Sequence, residues 1–230
     1  REETALYESM RRNAIEKIST SEGESGRPML VLAEIMRLRR LCCNPALVAP
    51  ESGIASSKMQ LLERIVEELI ENRHKALIFS QFVDHLTLVR QLFDRKGLSY
   101  QYLDGSTPVK ARTKAISAFQ EGNGDFFLIS LKAGGLGLNL TAADYVIHLD
   151  PWWNPAVEDQ ASDRAHRIGQ TRPVTIYRLI TTNTIEEKIL QLHGRKRDLA
   201  DGLLDGSDIA GRISTAELVA LISSSIISSG

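Results

Sequence analysis

Short, wholly apolar runs alternate with amphipathic helical patterns through the middle of the chain, and this alternation constrains the fold more than any other feature. The first run, Ala76 to Phe79, contains no polar residue, as expected for a strand that is covered on both faces. Strands that alternate with helices predict an α/β fold, in which a parallel sheet is flanked by helices. Further strands are predicted at residues 100–103, 126–131, 145–149 and 174–180, and helices at residues 84–96, 108–119, 157–168 and 184–199.

A helical segment is predicted ahead of this alternation. The apolar residues up to about Ile18 recur at helical spacing, and further helices are predicted at residues 29–43 and 58–72. The last long helix has its own start signal, because Thr184 and Glu187 have the spacing of a capping box. The predicted division is a helical part at residues 1–55, an α/β part at 56–200, and a partly disordered tail at 201–230.

Charge and cysteine content exclude several classes of protein. Lys and Arg total 28 and Asp and Glu total 29, for a net charge of -1, so any binding of nucleic acid has to come from a local patch. The only cysteines, Cys42 and Cys43, are adjacent, which gives no disulfide framework and indicates a reducing compartment. No apolar run approaches transmembrane length, so we expect no membrane partner.

Polar and glycine residues follow the predicted strands, where ligands bind in open parallel sheets. Ser80-Gln81 and Gly105-Ser106-Thr107 lie at two such strand ends. Small hydroxyls and backbone amides there suit contacts to a phosphate backbone, which position a nucleic acid without reading its sequence. Helix capping by Ser and Thr is the alternative, and it is the stronger interpretation of either segment alone.

A glycine-rich turn, KAGGLG at residues 132–137, follows the third strand. Gly134, Gly135 and Gly137 permit close backbone approach, and successive amides in such a turn attract an anion. The alternative is a plain strand-to-helix turn, and the turn by itself does not decide between the two. The turn is not a P-loop, because no Gly-Lys-Ser/Thr follows it.

The two tryptophans, Trp152 and Trp153, lie side by side between Pro151 and Pro155 at the end of the fourth strand. Neighbouring residues cannot easily face the same core. One is therefore expected to pack while the other meets a partner, for example a nucleic acid by stacking. Packing of both under a loop is an equally good interpretation of this feature alone.

Four polar residues are predicted on one face of the 157–168 helix: Gln160, Asp163, Arg164 and Arg167. Two arginines one turn apart suit the terminal phosphates of a nucleotide, where one could act as an arginine finger. The alternative is a solvated helix face with an ion pair between Asp163 and Arg167, and helix spacing alone favours that alternative.

Two absences limit what this site could do. The sequence has no GxxxxGK[ST] loop and no Asp-Glu dipeptide, so nothing in it is suited to hold a triphosphate with its magnesium. The five histidines show no spacing with Cys or acids that suits a metal, and we predict no metal site.

The order of these motifs resembles the C-terminal RecA-like lobe of the Swi/Snf-type ATPases of helicase superfamily two. The resemblance covers about residues 57–199, and the segment at 38–48 resembles the helical protrusion that precedes this lobe. Residues 1–55 would then be the linker and protrusion, and the 184–199 helix a brace helix. The resemblance is carried by ALIFSQF (76–82), LDGST (103–107), LKAGGLGLNLTAAD (131–144), DPWWNP (150–155) and DQASDRAHRIGQ (159–170).

The resemblance implies an ATP-dependent translocase that moves along double-stranded DNA, of which this chain is the second lobe. ATP with Mg²⁺ would bind on an N-terminal RecA-like lobe, so that this lobe alone is inactive as an ATPase. Arg164 and Arg167 match the arginines that reach that ATP, and Gln160 belongs to the same motif. Positions beside the nucleotide are assigned to Gly135, Gly137 and Asp163.

The resemblance also implies a track for the DNA backbone, to which Trp153 belongs through its WNP motif. Leu131 stands where many members of the family have Thr, so a hydroxyl contact to phosphate is in doubt there. The other DNA-binding positions are Ser80, Gln81, Gly105, Ser106, Lys132, Ala133 and Gly134.

A non-catalytic RecA-like module that binds DNA or a protein is the alternative, and an upstream lobe with a phosphate loop would distinguish the two. The implied partners are duplex DNA, the N-terminal lobe and a DNA-bound protein target. The implied location is the cytoplasm or nucleoid in a bacterium, which the short insertions favour, or the nucleus in a eukaryote.

Overall fold

The computed structural model describes residues 2–21, 26–134, 139–166, 170, 172–200 and 214–223. The chain divides into an α/β unit, residues 58–180, and a helical unit, residues 1–57 with 181–230. The strands are β1 (Ala76–Ser80), β2 (Tyr100–Leu103), β3 (Phe126–Ser130), β4 (Tyr145–His148) and β5 (Thr175–Arg178). The helices are α1 (Glu2–Thr20), α2 (Arg27–Cys43), α3 (Ser57–Glu71), α4 (Val83–Lys96), α5 (Val109–Gln120), α6 (Leu131–Gly134), α7 (Pro155–Ser162), α8 (Ile185–Ala200) and α9 (Thr215–Ser223).

All five strands are parallel and form one sheet in the order β2-β3-β1-β4-β5. The central strand β1 pairs with β3 and β4, so that Ile78 lies between Leu128 and Ile147. The predicted α/β fold with a parallel sheet flanked by helices is therefore confirmed, and each predicted strand is present within a few residues of its expected bounds.

Apolar clusters cover both faces of the sheet. Ile78 belongs to a cluster that includes buried residues of α3 and α4. Its neighbour Phe79 belongs to a second cluster with residues of α5, α6 and α7. Successive side chains of a strand point to opposite faces, and this is why a strand without any polar residue is stable only between two such layers.

The helical unit is built from α1, α2, α8 and α9 around their apolar faces. Ala14 and Val31 are fully buried there. Tyr7 accepts a hydrogen bond from the backbone N–H of Ile185 at 2.8 Å, and burial raises the pKa of its hydroxyl. α8 packs with these helices, so the compact units of the structure group residues 185–200 with the helical unit. The sequence grouped these residues with the α/β part, and the predicted domain division at 1–55, 56–200 and 201–230 stays a prediction.

The start of α8 differs from the predicted capping box. Thr184 accepts the N–H of Glu186 at 3.2 Å, as an N-cap does. Glu187, however, accepts the N–H of Asn183 at 2.8 Å, one residue before the expected donor at Thr184. Asn183 has a positive φ of 58°, which places a left-handed turn immediately before the cap.

Asp144 ties together the amino edge of the sheet. Its carboxylate accepts the N–H of Lys75 before β1 at 3.1 Å, contacts Nδ1 of His74 at 2.7 Å, and pairs with Arg172 before β5 at 3.2 Å. Burial by itself would raise the pKa of Asp144, but the hydrogen bonds from His74, Lys75 and Arg172 outweigh it, so the pKa lies below its ordinary value of 3.8.

We predict that Asp144→Asn lowers the free energy of unfolding by about 1.5–3 kcal/mol at neutral pH, because it removes charge-assisted hydrogen bonds. The wild-type advantage is present above the ordinary carboxyl pKa and is lost as pH falls through the depressed folded pKa. Urea unfolding at neutral and strongly acidic pH measures this. Asp125→Asn is the matched control, because Asp125 precedes β3 as Asp144 precedes β4 but is exposed. An equal loss in both variants, or a loss independent of pH, would contradict the assignment.

Candidate functional site at the carboxyl edge of the sheet

The strand order places the predicted DNA-binding residues side by side along the carboxyl edge of the sheet. The strands that precede them are, in spatial order, β2, β3, β1 and β4. Gly105 and Ser106 follow β2, Lys132 follows β3, Gln81 follows β1 and Trp153 follows β4. Four neighbouring strand ends thus carry one continuous row of loops, as expected for a ligand-binding edge.

The loop after β1 is fixed by a buried acid. Asp150 is 1 % exposed, accepts the hydroxyl of Ser80 at 2.5 Å, and accepts the N–H of Gln81 at 3.2 Å. Ser80 in turn accepts the N–H of Phe82 at 3.1 Å. The hydrogen bonds of the Ser80 hydroxyl are therefore made within the α/β unit. Of the two residues predicted to contact DNA here, Ser80 is buried and Gln81 is half-buried.

Two buried basic side chains lie beneath the same loops. Lys58 donates to the backbone carbonyl of Leu149 at 2.8 Å and is 4 % exposed. His85 is fully buried, and a nitrogen of its ring lies within 4.8 Å of an Asp150 carboxylate oxygen. Burial and then the charge of Lys58 lower the pKa of His85 to about 3, so the imidazole is neutral at neutral pH.

The loop after β2 is a tight turn around Asp104. One carboxylate oxygen accepts the N–H and the hydroxyl of Ser106 at 2.8 and 2.7 Å, and the other accepts the hydroxyl of Tyr102 at 2.8 Å. The hydrogen bond from the Ser106 side chain is the main reason that the pKa of Asp104 falls to about 2. The charged turn holds Gly105 and Ser106 on the exposed surface. The helix-capping interpretation is wrong here, because α5 has Pro108 at its N-cap with no side-chain cap and the Ser106 hydroxyl donates to Asp104, while a phosphate contact stays a prediction.

The glycine-rich turn begins as the short helix α6. Lys132 is exposed, while Leu131 and Ala133 are buried in the apolar cluster on the α5 side of the sheet. Leu131 therefore has a packing role at the position where a hydroxyl contact to phosphate was in doubt. The backbone of Gly134 ends α6, and the predicted nucleotide residues Gly135 and Gly137 lie outside the described residues.

Glu158 fixes the tryptophan pair against α7. It is 1 % exposed and accepts the N–H of Trp152 at 2.7 Å and Nε of Arg178 at 2.8 Å. Trp152 packs against the apolar cluster of the α5 face, as expected for one of the two tryptophans. Trp153 is half-buried, and its contact with a partner stays a prediction.

The helix predicted at residues 157–168 is wrong in length, because α7 ends at Ser162. The carbonyl of Arg164 accepts the N–H of Leu140 at 3.0 Å, and the carbonyl of Ala165 accepts the side chain of Gln170 at 3.2 Å. The N–H groups of Arg164 and Ala165 donate to carbonyls three residues back, at Ala161 and Ser162, so the chain continues in tighter turns and the α-helical ladder stops. The predicted polar face is therefore broken after Gln160.

The predicted nucleotide-facing residues consequently differ in exposure. Gln160 and Asp163 are exposed, whereas Arg164 is 3 % exposed. Arg167 lies outside the described residues, so the solvated ion pair proposed for it with Asp163 is untested.

Gln170, the last residue of the DQASDRAHRIGQ motif, has a position that the sequence did not reveal. Its side-chain nitrogen lies 3.1, 2.7 and 3.2 Å from the carbonyl oxygens of Thr141, Ala143 and Ala165. Its side-chain oxygen accepts the N–H of Arg172 at 2.9 Å. Only its place beside the arginines could have drawn attention to it. Sequence reasoning also missed the roles of Asp150, which follows β4, and of Glu158, in the first turn of α7, because a single buried acid gives no periodic signal.

Comparison with known proteins agrees with this fold. The helicase conserved C-terminal domain family matches residues 57–169, which defines the class of the α/β unit. The C-terminal domain of the SWI2/SNF2 ATPase of Sulfolobus solfataricus is 33 % identical and aligns with a TM-score of 0.76 over 98 % of this chain and 94 % of that one. The core of that ATPase in complex with dsDNA aligns at 34 % identity and a TM-score of 0.78, over 98 % of this chain and 48 % of that one.

The chain belongs to the family of SWI2/SNF2 ATPase C-terminal lobes, and its fold is RecA-like, as the resemblance implied. The putative ATP-dependent helicase/translocase YwqA of Bacillus subtilis is 37 % identical over 223 residues, which are 94 % of this chain and 24 % of that protein. The chain spans 19–24 % of the length of three bacterial relatives. Among the described residues, no helix has the length and apolar character needed to cross a membrane.

We predict that Glu158→Ala lowers the free energy of unfolding by about 1.5–3 kcal/mol, because the Trp152 N–H loses its charged acceptor and the exposed Arg178 loses a charge-assisted hydrogen bond. Asp159→Ala is the matched control: Asp159 is 51 % exposed and contacts the same arginine at 3.5 Å, so its loss should cost less than about 1 kcal/mol. Since the only tryptophans lie at this turn, their fluorescence during urea unfolding reports on it directly. Equal costs for the two variants would contradict this role for Glu158.

Proposed function

We propose that this chain is the second motor lobe of an ATP-dependent translocase that acts on double-stranded DNA. The observation that carries the proposal is the row of loops on four neighbouring strand ends, with Gly105, Ser106, Lys132, Gln81 and Trp153 along one edge. Loops arranged in a row along one edge can contact an extended ligand at several points, and this suits the backbone of a nucleic acid.

The DNA-binding part of the proposal draws on what the row offers. Ser106 and Lys132 are exposed, and the acids behind the loops, Asp104 and Asp150, hold backbone amides in place. Ser80 and Ala133 would act through the backbone, because both side chains are buried. A related SWI2/SNF2 core has been solved with dsDNA, which supports duplex DNA as the ligand.

The nucleotide part of the proposal assigns this chain half of a site. Without a GxxxxGK[ST] loop, the sequence does not fit a site that holds ATP and Mg²⁺ by itself, so another lobe has to hold them. Arg164 and Arg167 would supply positive charge to the terminal phosphates, with Gln160, Asp163 and the glycines 135 and 137 beside them. Because Arg164 is 3 % exposed, this contact requires its guanidinium to emerge when the other lobe closes.

In this proposal, closure and opening of the two lobes around ATP move the carboxyl edge along the DNA backbone. Bound ATP supplies the differential affinity that favours the closed state. The contribution of this chain is to bind the backbone, to present its arginines and to exclude water from the closed interface. A DNA-bound protein that obstructs this movement would be the natural target.

We predict that the purified chain binds duplex DNA weakly and that binding weakens steeply with salt, because contacts to phosphate release counterions. Lys132→Ala should weaken binding uniformly across sequences and reduce the salt slope by about 1. Lys96→Ala is the matched control, because Lys96 lies at the far end of α4 and pairs with Glu63 and Glu67. Fluorescence titrations at two salt concentrations measure both, and binding that does not depend on salt would contradict backbone contacts.

We predict that the chain alone shows no DNA-stimulated ATP hydrolysis, whereas a protein that adds an upstream lobe with a phosphate loop does. In that protein Arg164→Lys should lower kcat by about a thousandfold or more, as for an arginine finger. Arg95→Lys, an exposed exchange on α4, is the control. Because Arg164 is buried, Tm is measured in parallel. Turnover by the chain alone would refute the shared site, and absence of turnover in the two-lobe protein would favour a non-catalytic module.

A further inference from the structure

The carboxamide of Gln170 joins three separate segments of the α/β unit. Its nitrogen lies within hydrogen-bond distance of Thr141 and Ala143, which follow the glycine-rich turn, and of Ala165, which follows Arg164. Its oxygen accepts the N–H of Arg172, on the way to β5. One half-buried side chain therefore connects residues 141–143, which follow the glycine-rich turn, with the segment that carries Arg164.

A backbone hydrogen bond makes the same connection from the other side. The N–H of Leu140 donates to the carbonyl of Arg164 at 3.0 Å. Residues 140–143 and 164–165 are thus joined both by main chain and by Gln170. Two attachments between two short segments restrict sliding as well as rotation, so a displacement of either segment moves the other.

The connection depends on the chemistry of an amide. A glutamine side chain offers two N–H donors and one acceptor, and here the donors face carbonyl oxygens while the acceptor faces an N–H. Glutamate keeps the acceptor for Arg172 but directs a carboxylate oxygen at the carbonyls of Thr141, Ala143 and Ala165. Alanine removes both functions.

We propose that Gln170 is a positioning residue that ties residues 141–143 to the segment of Arg164, and so makes ATP turnover respond to DNA bound at the carboxyl edge. The inference rests on the proposed function, because it assumes that DNA contacts Lys132 and that Arg164 serves ATP. The inference adds to the proposed function a residue through which residues 141–143 and the segment of Arg164 act on each other. Gln170 touches neither ligand, and it acts by fixing the position of the Arg164 backbone.

Gln120 provides a matched control within the same unit. Its side-chain oxygen accepts the N–H of Ala142 at 2.9 Å, and its nitrogen lies 3.4 Å from the hydroxyl of Thr141. It therefore holds the same loop with the same functional group, but it attaches that loop to α5. Among the described residues, its hydrogen bonds do not reach the segment of Arg164.

The experiment uses the protein that joins this chain to its upstream lobe, as wild type and as Gln170→Ala, Gln170→Glu and Gln120→Ala. For each, the ratio of kcat at saturating duplex DNA to kcat without DNA is measured, together with the Kd for DNA and Tm. Both Gln170 variants should lower the ratio about tenfold, because a small misplacement of a positioned group is costly, whereas their Kd for DNA should change by less than about twofold. Gln120→Ala should retain the wild-type ratio, with a smaller loss in Tm because Gln120 is exposed and makes fewer hydrogen bonds.

The outcomes separate the two proposals. A wild-type protein without DNA-stimulated turnover contradicts the proposed function itself. A stimulated wild type whose Gln170 variants keep the wild-type ratio, or whose Gln120 variant loses it equally, overturns the role of Gln170 and leaves the proposed function standing. If Gln170→Ala does not fold, Gln170→Glu gives the same comparison, because it retains the hydrogen bond to the N–H of Arg172.

Discussion

Apolar packing on both faces of the central strand β1 is the constraint on which the rest of the α/β unit depends. Ile78 faces one cluster and Phe79 the other, and both are fully buried. A parallel sheet covered on both faces leaves its two rows of strand ends as the places where polar loops can form. Asp144 organises the amino edge and Asp150 the carboxyl edge, and each accepts a backbone N–H from the segment next to β1. The polar residues of the unit are therefore concentrated where the apolar layers end.

Buried acids do most of the positioning at these edges. Asp150 fixes the loop after β1, and Glu158 fixes the turn of Trp152 against α7. Burial of a carboxylate is costly unless it is paired, and each of these acids has at least two hydrogen-bond donors. The consequence is a separation of roles, in which buried groups hold loop geometry and exposed groups such as Ser106 and Lys132 are available to a ligand.

The strands were predictable from the sequence, since an apolar run such as Ala76 to Phe79 is compatible with few other structures. The carboxyl edge followed from the same pattern, because parallel strands place their ends together. The length of α7 was not predictable, because the chain after Ser162 continues in tighter turns and the carbonyl of Arg164 accepts the N–H of Leu140, which is distant in sequence. Local periodicity carries no information about such tertiary contacts, and for this reason the strand ends were predicted correctly and the helix face was not, while ligand binding at that edge stays a prediction.

Residues 129–170 carry the predicted ligand contacts and also the residues that connect them to the fold. Lys132 and Gln160 are of the first kind, because both are exposed and could meet a ligand or another lobe. Leu140 and Gln170, by contrast, connect residues 140–143 to the segment of Arg164. The first connection is a backbone hydrogen bond from a residue whose side chain is fully buried in the apolar cluster on the α5 side of the sheet, whereas the second uses the carboxamide of Gln170. The apolar packing that holds the sheet therefore also holds one of the two attachments, and the other depends on the hydrogen-bonding groups of a single side chain.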